Sequence, residues 1–321
     1  MVRSPLTSIA LFVYNRPAHL QRALEALAKC RRLDECALTI YCDAPKHADH
    51  AESVEAARQV AREWGERLKA TVIERETNYG LSRSIVTGVT ALCQQYGRVI
   101  VLEDDLLVSP DFLDYMLGAL DAYADSADVV QVSGYMFPLD PPPADSVFLL
   151  PLTTTWGWAT WARAWQQFDW NAPGAGDYFA NPANRHRFDL DGAYGYTAML
   201  EDRLMGKNDS WGILWWYSVF RSGGLVVYPP HTLVQNVGFD GSGTHWNTAS
   251  TDPVPFATSH TQAQSAGFKF PPASEVDLAT FERVKAHLRP AGAALPNAKS
   301  PSILNRVRGK VGQLLKGMSV V

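Results

Sequence analysis

The sequence predicts an α/β fold with a mostly parallel central sheet flanked by helices, and three observations carry that prediction. Short apolar runs alternate with amphipathic stretches over the first 123 residues. Each run ends in polar residues, and the run that closes at Leu102 is followed at once by three carboxylates, Glu103-Asp104-Asp105. Apolar runs without strict alternation are what strands buried on both faces look like, and such strands belong to parallel sheets with crossover helices.

Taken in order, strand-like runs at Ile9–Tyr14, Leu38–Tyr41, Thr71–Ile73 and Val99–Leu102 alternate with helical stretches at Ala18–Cys30, Ala51–Trp64 and Leu81–Tyr96. A βαβαβαβ order puts the carboxyl ends of all four strands on one edge, where open α/β sheets bind their ligands. The residues delivered there are Asn15-Arg16-Pro17, Asp43-Ala44-Pro45, Glu74 to Asn78, and the three acids. Carboxylate oxygens are hard donors suited to Mg²⁺ or Mn²⁺, and an ion held by one or two of them completes its shell with water and ligand phosphates. The first 123 residues therefore read as a nucleotide-binding half, with a metal-bound diphosphate as the leading ligand. A plainer reading of the same stretch makes Ser109 an N-cap, with Pro110 and Asp111 opening a helix. That accounts for Ser109 to Asp111 and leaves the three acids unexplained.

Beyond Tyr123 the pattern changes to short strands, turns and many tryptophans. Val129–Val132 reads as a strand, Pro141 to Pro143 breaks any element, and Trp156-Gly-Trp-Ala-Thr-Trp161 precedes a helix running through Phe168. Trp211, Trp215 and Trp216 fall in a further helix through Phe220. Large aromatics serve mainly as core, with one or two left to line a carbohydrate site. Gly238 to His245 is glycine-rich without a phosphate-loop pattern and reads as a lid. Residues 1–250 thus form one domain, with halves at 1–123 and 124–250, and 251–321 an extension. From Arg283 onward there is no acidic residue, and apolar positions between Ile303 and Met318 recur at helical spacing, giving a basic amphipathic helix near 302–318. Its expected partners are this protein's own core, another subunit, or an anionic membrane surface.

Composition narrows the class. The 321 residues are 46% apolar and 19% charged, ordinary for a globular enzyme, and the net charge of −4 offers no bulk attraction for nucleic acid. Cys30, Cys36, Cys42 and Cys93 lack metal-ligand spacing and read as buried thiols of a reducing compartment. No run of about 18 apolar residues occurs, so the expected location is the cytoplasm, with the inner face of the cell membrane allowed by the basic helix.

The run Val101-Leu-Glu-Asp-Asp-Leu-Leu-Val-Ser-Pro-Asp-Phe112 resembles the metal-site segment of GT-A-fold glycosyltransferases related to the animal N-acetylglucosaminyltransferase that starts complex N-glycan synthesis. Leu11 to Pro17, Gly157 to Trp161, Lys207 to Trp211 and Gly238 to His245 look like bacterial sugar transferases of that kind. The resemblance implies a GT-A (Rossmann-like) fold and a metal-dependent transfer from a nucleotide-sugar donor, UDP-linked, to a glycan or lipid-linked hydroxyl acceptor, with inversion. It places Mn²⁺ or Mg²⁺ on Asp105, sugar and ribose hydroxyls on Glu103 and Asp104, and the nucleotide on Arg16 and Asp43. Asp209 takes the place of the base and Arg83 of a weaker nucleotide contact, since Leu81-Ser-Arg83 lacks the histidine of the animal pattern; His245, which closes the glycine-rich lid, reads from its position as a phosphate or metal contact or, as a lone histidine, as a structural residue. From the residues alone, Asp209 serves equally well as an N-cap, and Asp43 as a turn residue. A sugar-phosphate nucleotidyltransferase and a non-catalytic carbohydrate- or nucleotide-binding module remain the rival functions.

Overall fold

The computed structural model describes residues 7–143, 146–240, 267–273 and 275–289. The first part of the chain runs β1 (Thr7–Val13), α1 (Pro17–Leu27), β2 (Cys36–Cys42), α2 (Ala51–Leu68), β3 (Thr71–Glu74), α3 (Gly80–Tyr96) and β4 (Arg98–Glu103). It continues through β5 (Leu106–Val108), α4 (Phe112–Ala122) and β6 (Val129–Ser133). The rest comprises β7 (Phe148–Leu150), β8 (Trp158–Trp161), α5 (Ala162–Trp165), α6 (Ala175–Phe179), α7 (Pro182–Phe188), α8 (Tyr196–Leu204), α9 (Trp211–Ser222), β9 (Leu225–Tyr228), β10 (Val234–Asn236) and α10 (Leu278–Leu288).

Eight strands form one sheet in the order β3-β2-β1-β4-β8-β6-β9-β7, while β5 and β10 pair in a separate two-stranded ribbon. β3, β2, β1 and β4 are parallel, in register at Cys42↔Glu74, Val13↔Cys42 and Phe12↔Glu103. The crossover helices expected from the sequence are therefore present, and the four polar strand ends share one edge. The sheet is mixed rather than mostly parallel beyond that point: β8 lies antiparallel between β4 and β6, with Trp158 opposite both Val101 and Ser133. β9 returns parallel to β6, and β7 closes the edge antiparallel to β9.

Residue chemistry explains each layer. β1 is buried along its whole length and α1 turns Leu20, Ala23, Leu24 and Leu27 inward at helical spacing. On the other face α3 packs Ile85, Val86, Val89, Leu92 and Cys93 beside Trp158, Trp165, Trp211 and Trp215. Within that cluster Trp158 and Trp211 stack with ring centres 5.3 Å apart, so most of the tryptophans are core. A third cluster in the distal half gathers Phe179, Phe188, Trp216, Tyr217 and Tyr228 with Phe281, Val284 and Leu288 of α10. Residues 267–273 and 275–289 thus pack into the same body: Val276 bridges Leu149 of β7, and Phe270 sits against Tyr115 of α4 and Tyr123 at its end.

Three local expectations need correction. Asp111, not Ser109, stands at the N-cap of α4, and the Ser109 hydroxyl instead donates to the Asp111 carboxylate at 2.6 Å. Ser210, not Asp209, caps α9, its backbone extended and its hydroxyl accepting from Ile213 N at 3.3 Å. At α9 the extended backbone at Ser210 lets its side chain reach back to the first turn, as an N-cap must. The helix after Trp161 stops at Trp165, and only tighter three-residue bonds, Phe168 N to Trp165 O among them, carry the turn further. α10 itself was not legible beforehand. The basic run at 302–318 lies outside the described residues.

Candidate active site

Glu103 ends β4, and the chain then crosses from the large sheet into the ribbon through Asp104 and Asp105. That crossing aims two carboxylates at one point: Asp104 Oδ1 and Asp105 Oδ2 both accept from the same guanidinium nitrogen, Arg16 Nη2, the latter at 2.8 Å. Arg16 comes from the end of β1, the neighbouring strand. Asp104 also accepts from Tyr14 N at 3.3 Å. Burial pulls the Arg16 pKa down, but the two acids outweigh it and hold the guanidinium more firmly protonated than usual. Burial pushes the Asp104 carboxyl up to about 6, with Arg16 opposing and Asp105 adding to the rise. Glu103 is raised further, first by burial and then by its two acidic neighbours.

The ribbon fastens a second segment over these acids. Val237 N donates to Asp105 O at 2.9 Å, and Gly238 N donates to Asn236 Oδ1 at 2.7 Å. A Cβ on Gly238 would land on Asp105 Oδ2, with Asp105 Cγ at 3.0 Å and Arg16 Nη1 at 3.1 Å. Glycine is required here for room. On the transferase expectation drawn from the sequence, Gly238→Ala should displace the Asp105 carboxylate and lower kcat/KM for nucleotide release about a hundredfold, since misplacing a group at the reacting centre by about 1 Å costs that much. A thermal midpoint within a few degrees of wild type would show that the loss is local. An unchanged kcat/KM would mean that Asp105 does not matter in this position.

The raised acids have a sign that can be measured. A carboxyl whose folded-state pKa lies above its unfolded value stabilises the fold fully below the unfolded pKa, and that contribution is lost as pH rises through the folded pKa. For Asp104 the window runs from about 4 to about 6. The stability difference between Asp104→Asn and wild type, read from urea midpoints without added cation, should shift in favour of the variant by on the order of 3 kcal/mol between pH 4 and pH 7. A difference that stays flat with pH would refute the raised value.

Asp43 follows β2 and is buried. Its carboxylate accepts from Ala44 N at 3.0 Å, Tyr79 N at 2.9 Å and Gly80 N at 2.9 Å, so it anchors the start of α3. Among the described residues its carboxylate bonds go to backbone. The anchored turn carries Tyr79, whose ring lies between two guanidinium groups, Arg75 at 4.2 Å and Arg83 at 4.4 Å from its centre. Arg83 therefore stands on the exposed face of α3, one turn from the same edge.

Asp209 reaches this edge from the distal half. Its carbonyl accepts from the Ser82 hydroxyl of α3, and its Oδ2 lies 3.9 Å from where a Cβ on Gly80 would be. The side chain is 64% exposed, with Arg203 Nη2 4.0 Å away. An exposed carboxylate whose main chain is pinned can accept a proton from an entering hydroxyl, which a cap buried in its own helix cannot. Next to it Ser210 opens onto a cleft of about 220 Å³ lined by Tyr135, Thr155, Trp156, Tyr194, Tyr196 and Trp216 among others. Trp156 also contacts Phe239 at 5.6 Å, linking the cleft to the segment over Asp105.

The structure thus brings Arg16, Glu103, Asp104 and Asp105 together, and separately Asp43, Arg83 and Asp209 around the start of α3. His245 lies outside the described residues. Residues that the sequence did not single out are Tyr14, Arg75, Tyr79, Val237 and the cleft tyrosines. Arg75 had a signal, since it falls in the polar stretch Glu74 to Asn78.

Among the described residues no cluster of three His, Cys, Asp or Glu side chains forms a ready metal cage. The donor set nevertheless fits a divalent ion shared with a ligand: two hard carboxylate oxygens converge on a point that already holds positive charge. Asp105, the less buried of the pair, is the residue that would hold it.

Residues 8–180 match the family described as Glycosyl transferase family 2. No curated protein sequence matches the chain. Among solved structures, the crystal structure of S. aureus TarS 1-349 is 13% identical, covering 49% of this chain and 47% of that one at a TM-score of 0.35. The crystal structure of GalNAc-T7 with UDP, GalNAc and Mn2+ is 12% identical, covering 70% and 42% at 0.40. That of mouse xyloside xylosyltransferase 1 in its apo form is 15% identical, covering 59% and 77% at 0.34. The chain spans less than half the length of the first two, and likenesses of this size carry no argument about what is bound.

Proposed function

Since the chain belongs to glycosyl transferase family 2, we propose that it transfers a sugar from a nucleotide diphosphate donor, UDP-linked, to a hydroxyl group with inversion. The observation that supports this most is the convergence of Asp104 and Asp105 on one positive nitrogen at the carboxyl ends of parallel strands. When bound at Asp105, Mn²⁺ or Mg²⁺ supplies Lewis acidity to the departing diphosphate. Arg16 is placed to take up diphosphate charge in exchange for the carboxylates it now neutralises. Asp43 holds the turn at Tyr79 and Gly80 that bounds the nucleotide side, and Glu103 and Asp104 offer acceptors for donor hydroxyls.

In the step itself, the acceptor oxygen forms a bond to the anomeric carbon while the bond from that carbon to the diphosphate oxygen breaks. The electron pair leaves with the nucleoside diphosphate, and the acceptor proton passes to the Asp209 carboxylate. The likeness to the N-acetylglucosaminyltransferase segment supports the roles of the acids and assigns no donor sugar. A bacterial surface or lipid-linked glycan as acceptor, with contact to a membrane through the basic run near 302–318, extends the same reading. No helix among the described residues is long and apolar enough to cross a membrane.

Incubation with UDP-, GDP- and dTDP-sugars and Mn²⁺, with release of nucleotide as the readout, tests the proposal. Release from a UDP-sugar is expected. Pyrophosphate made from a sugar phosphate and a nucleoside triphosphate would replace it with a nucleotidyltransferase, and nucleotide binding without either product with a binding module.

A further inference from the structure

Exposed apolar side chains are unevenly distributed over the molecule. Among the described residues seven large ones are exposed, and five of them, Leu81, Trp170, Met199, Leu204 and Met205, gather about Asp209. The other two, Ile73 and Leu278, stand on the edge strand β3 and at the start of α10. Contacts join the five into one rim. Arg203 bridges its middle, with its guanidinium carbon 5.7 Å from the Trp170 ring centre and its Nη2 4.0 Å from Asp209 Oδ1. Leu204 and Met205 follow Arg203 as the last residue and the C-cap of α8. The turn from there to Asp209 is tied back by Asn208 Nδ2, which donates to Met199 O at 3.0 Å. Leu81 sits between Gly80 and Ser82, the two residues of α3 that meet Asp209. Single exposed apolar residues are ordinary, whereas a group of them on one side of a site marks a surface that something covers.

Two features select what covers it. The apolar groups are interleaved with Arg83, Arg203 and Lys207, whose long stems can lie along an apolar surface while their heads reach polar groups. Such a mixture fits the boundary of a bilayer, where indole and aliphatic groups enter the acyl edge and cations meet anionic headgroups. Asp202 and Asp209, the acids on the same segment, are each answered by a cation, Lys207 at 3.0 Å and Arg203. The second feature is the chain that follows α10. That helix packs Phe281, Val284 and Leu288 into the cluster that also holds Leu200 of α8, so residues 290–321 depart from the half of the molecule that carries the rim. They contain five basic residues and no acidic one. One weak attachment gives only marginal membrane binding, and stable anchoring takes two.

We propose that the apolar and basic rim around Asp209 seats on an anionic membrane surface, as a second point of attachment beside the basic C-terminal run, with Asp209 facing the headgroup layer. The proposal rests on the transferase reading in taking Asp209 for the base, and adds to it the direction from which the acceptor arrives. A hydroxyl carried by a lipid-linked molecule reaches Asp209 from the bilayer side, while the donor occupies the crevice at Arg16, Asp104 and Asp105.

Co-sedimentation of the whole chain with vesicles of phosphatidylcholine and phosphatidylglycerol in equal parts tests this. It is run at low salt and at about 0.5 M salt, where the attraction of the basic run for headgroups is largely screened. Wild type should bind under both conditions. Leu204→Ser combined with Met205→Ser should weaken binding about tenfold, and Trp170→Ala by a similar factor, with the loss persisting at high salt because it is apolar in origin. Leu278→Ser, at an exposed apolar position off the rim, should bind like wild type. Thermal midpoints and acceptor-free nucleotide release should be unchanged in all of them. Absence of wild-type binding, undiminished binding by both rim variants, or an equal loss in Leu278→Ser would overturn the proposal. So would a lower oligomeric state of the rim variants in the absence of vesicles, which would give the surface to a second copy of the chain. Failure of every donor to release nucleotide would instead count against the transferase reading, and sedimentation, which needs no turnover, would still decide on the rim.

Discussion

Asp105→Asn should abolish donor turnover, lowering kcat/KM for nucleotide release about a thousandfold, while leaving the fold intact. The magnitude follows from removing the one residue proposed to hold the Lewis acid, an effect of several kcal/mol at about 1.4 kcal/mol per decade. The fold survives because Arg16 keeps its bond to Asp104, and the segment over the acids is fastened through the Asp105 carbonyl rather than its side chain. Calorimetry with UDP and Mn²⁺ should show the cation dependence of binding lost in the variant and present in wild type. Turnover within tenfold of wild type would remove Asp105 from the mechanism. Because Asp104 carries a proton over part of the range below about 6, cation binding at the cluster should also tighten as pH rises through that value.

Asp209→Asn should lower kcat by about a hundredfold to ten-thousandfold, the range for loss of a general base, with UDP and Mn²⁺ affinity retained. The structure separates the two effects. The residue's structural bond to Ser82 is made by its carbonyl, and α9 is capped by Ser210, so the amide variant keeps both. Its carboxylate faces solvent, with a distant arginine as its ion-pair partner among the described residues. Single-turnover measurements with saturating acceptor would check the expectation, and an unchanged kcat would leave the side chain with no part in the chemistry.

Much of this arrangement was legible in the sequence. β1 to β4 and their helices are written as period and punctuation, and parallel strands must deliver their final residues to one edge, so Arg16, Asp43 and Glu103 to Asp105 could be placed there before any coordinates. What sequence could not give are contacts with no local signature. Arg16 pairs with acids 88 and 89 positions away. Gly238 looked like part of a loose lid, whereas its missing Cβ makes room for Asp105. The cleft beside Ser210 is assembled from Tyr135, the 153–156 stretch, Tyr194 to Met199 and the start of α9, four pieces that only the fold brings together. Asp209 and Ser210 are both good capping residues, and the choice between them depended on a backbone angle.

The reversed strand β8 has a mechanical consequence. Trp158 is bonded into both neighbours, opposite Val101 on one side and Ser133 on the other, so a single ladder of peptide groups runs from the parallel strands β1 to β4 into the distal half. Jaw-like swinging of one half against the other would tear that ladder. The strand end that carries the acids and the strand end beside the cleft therefore belong to one continuous sheet, and the scaffold acts as a ruler between them.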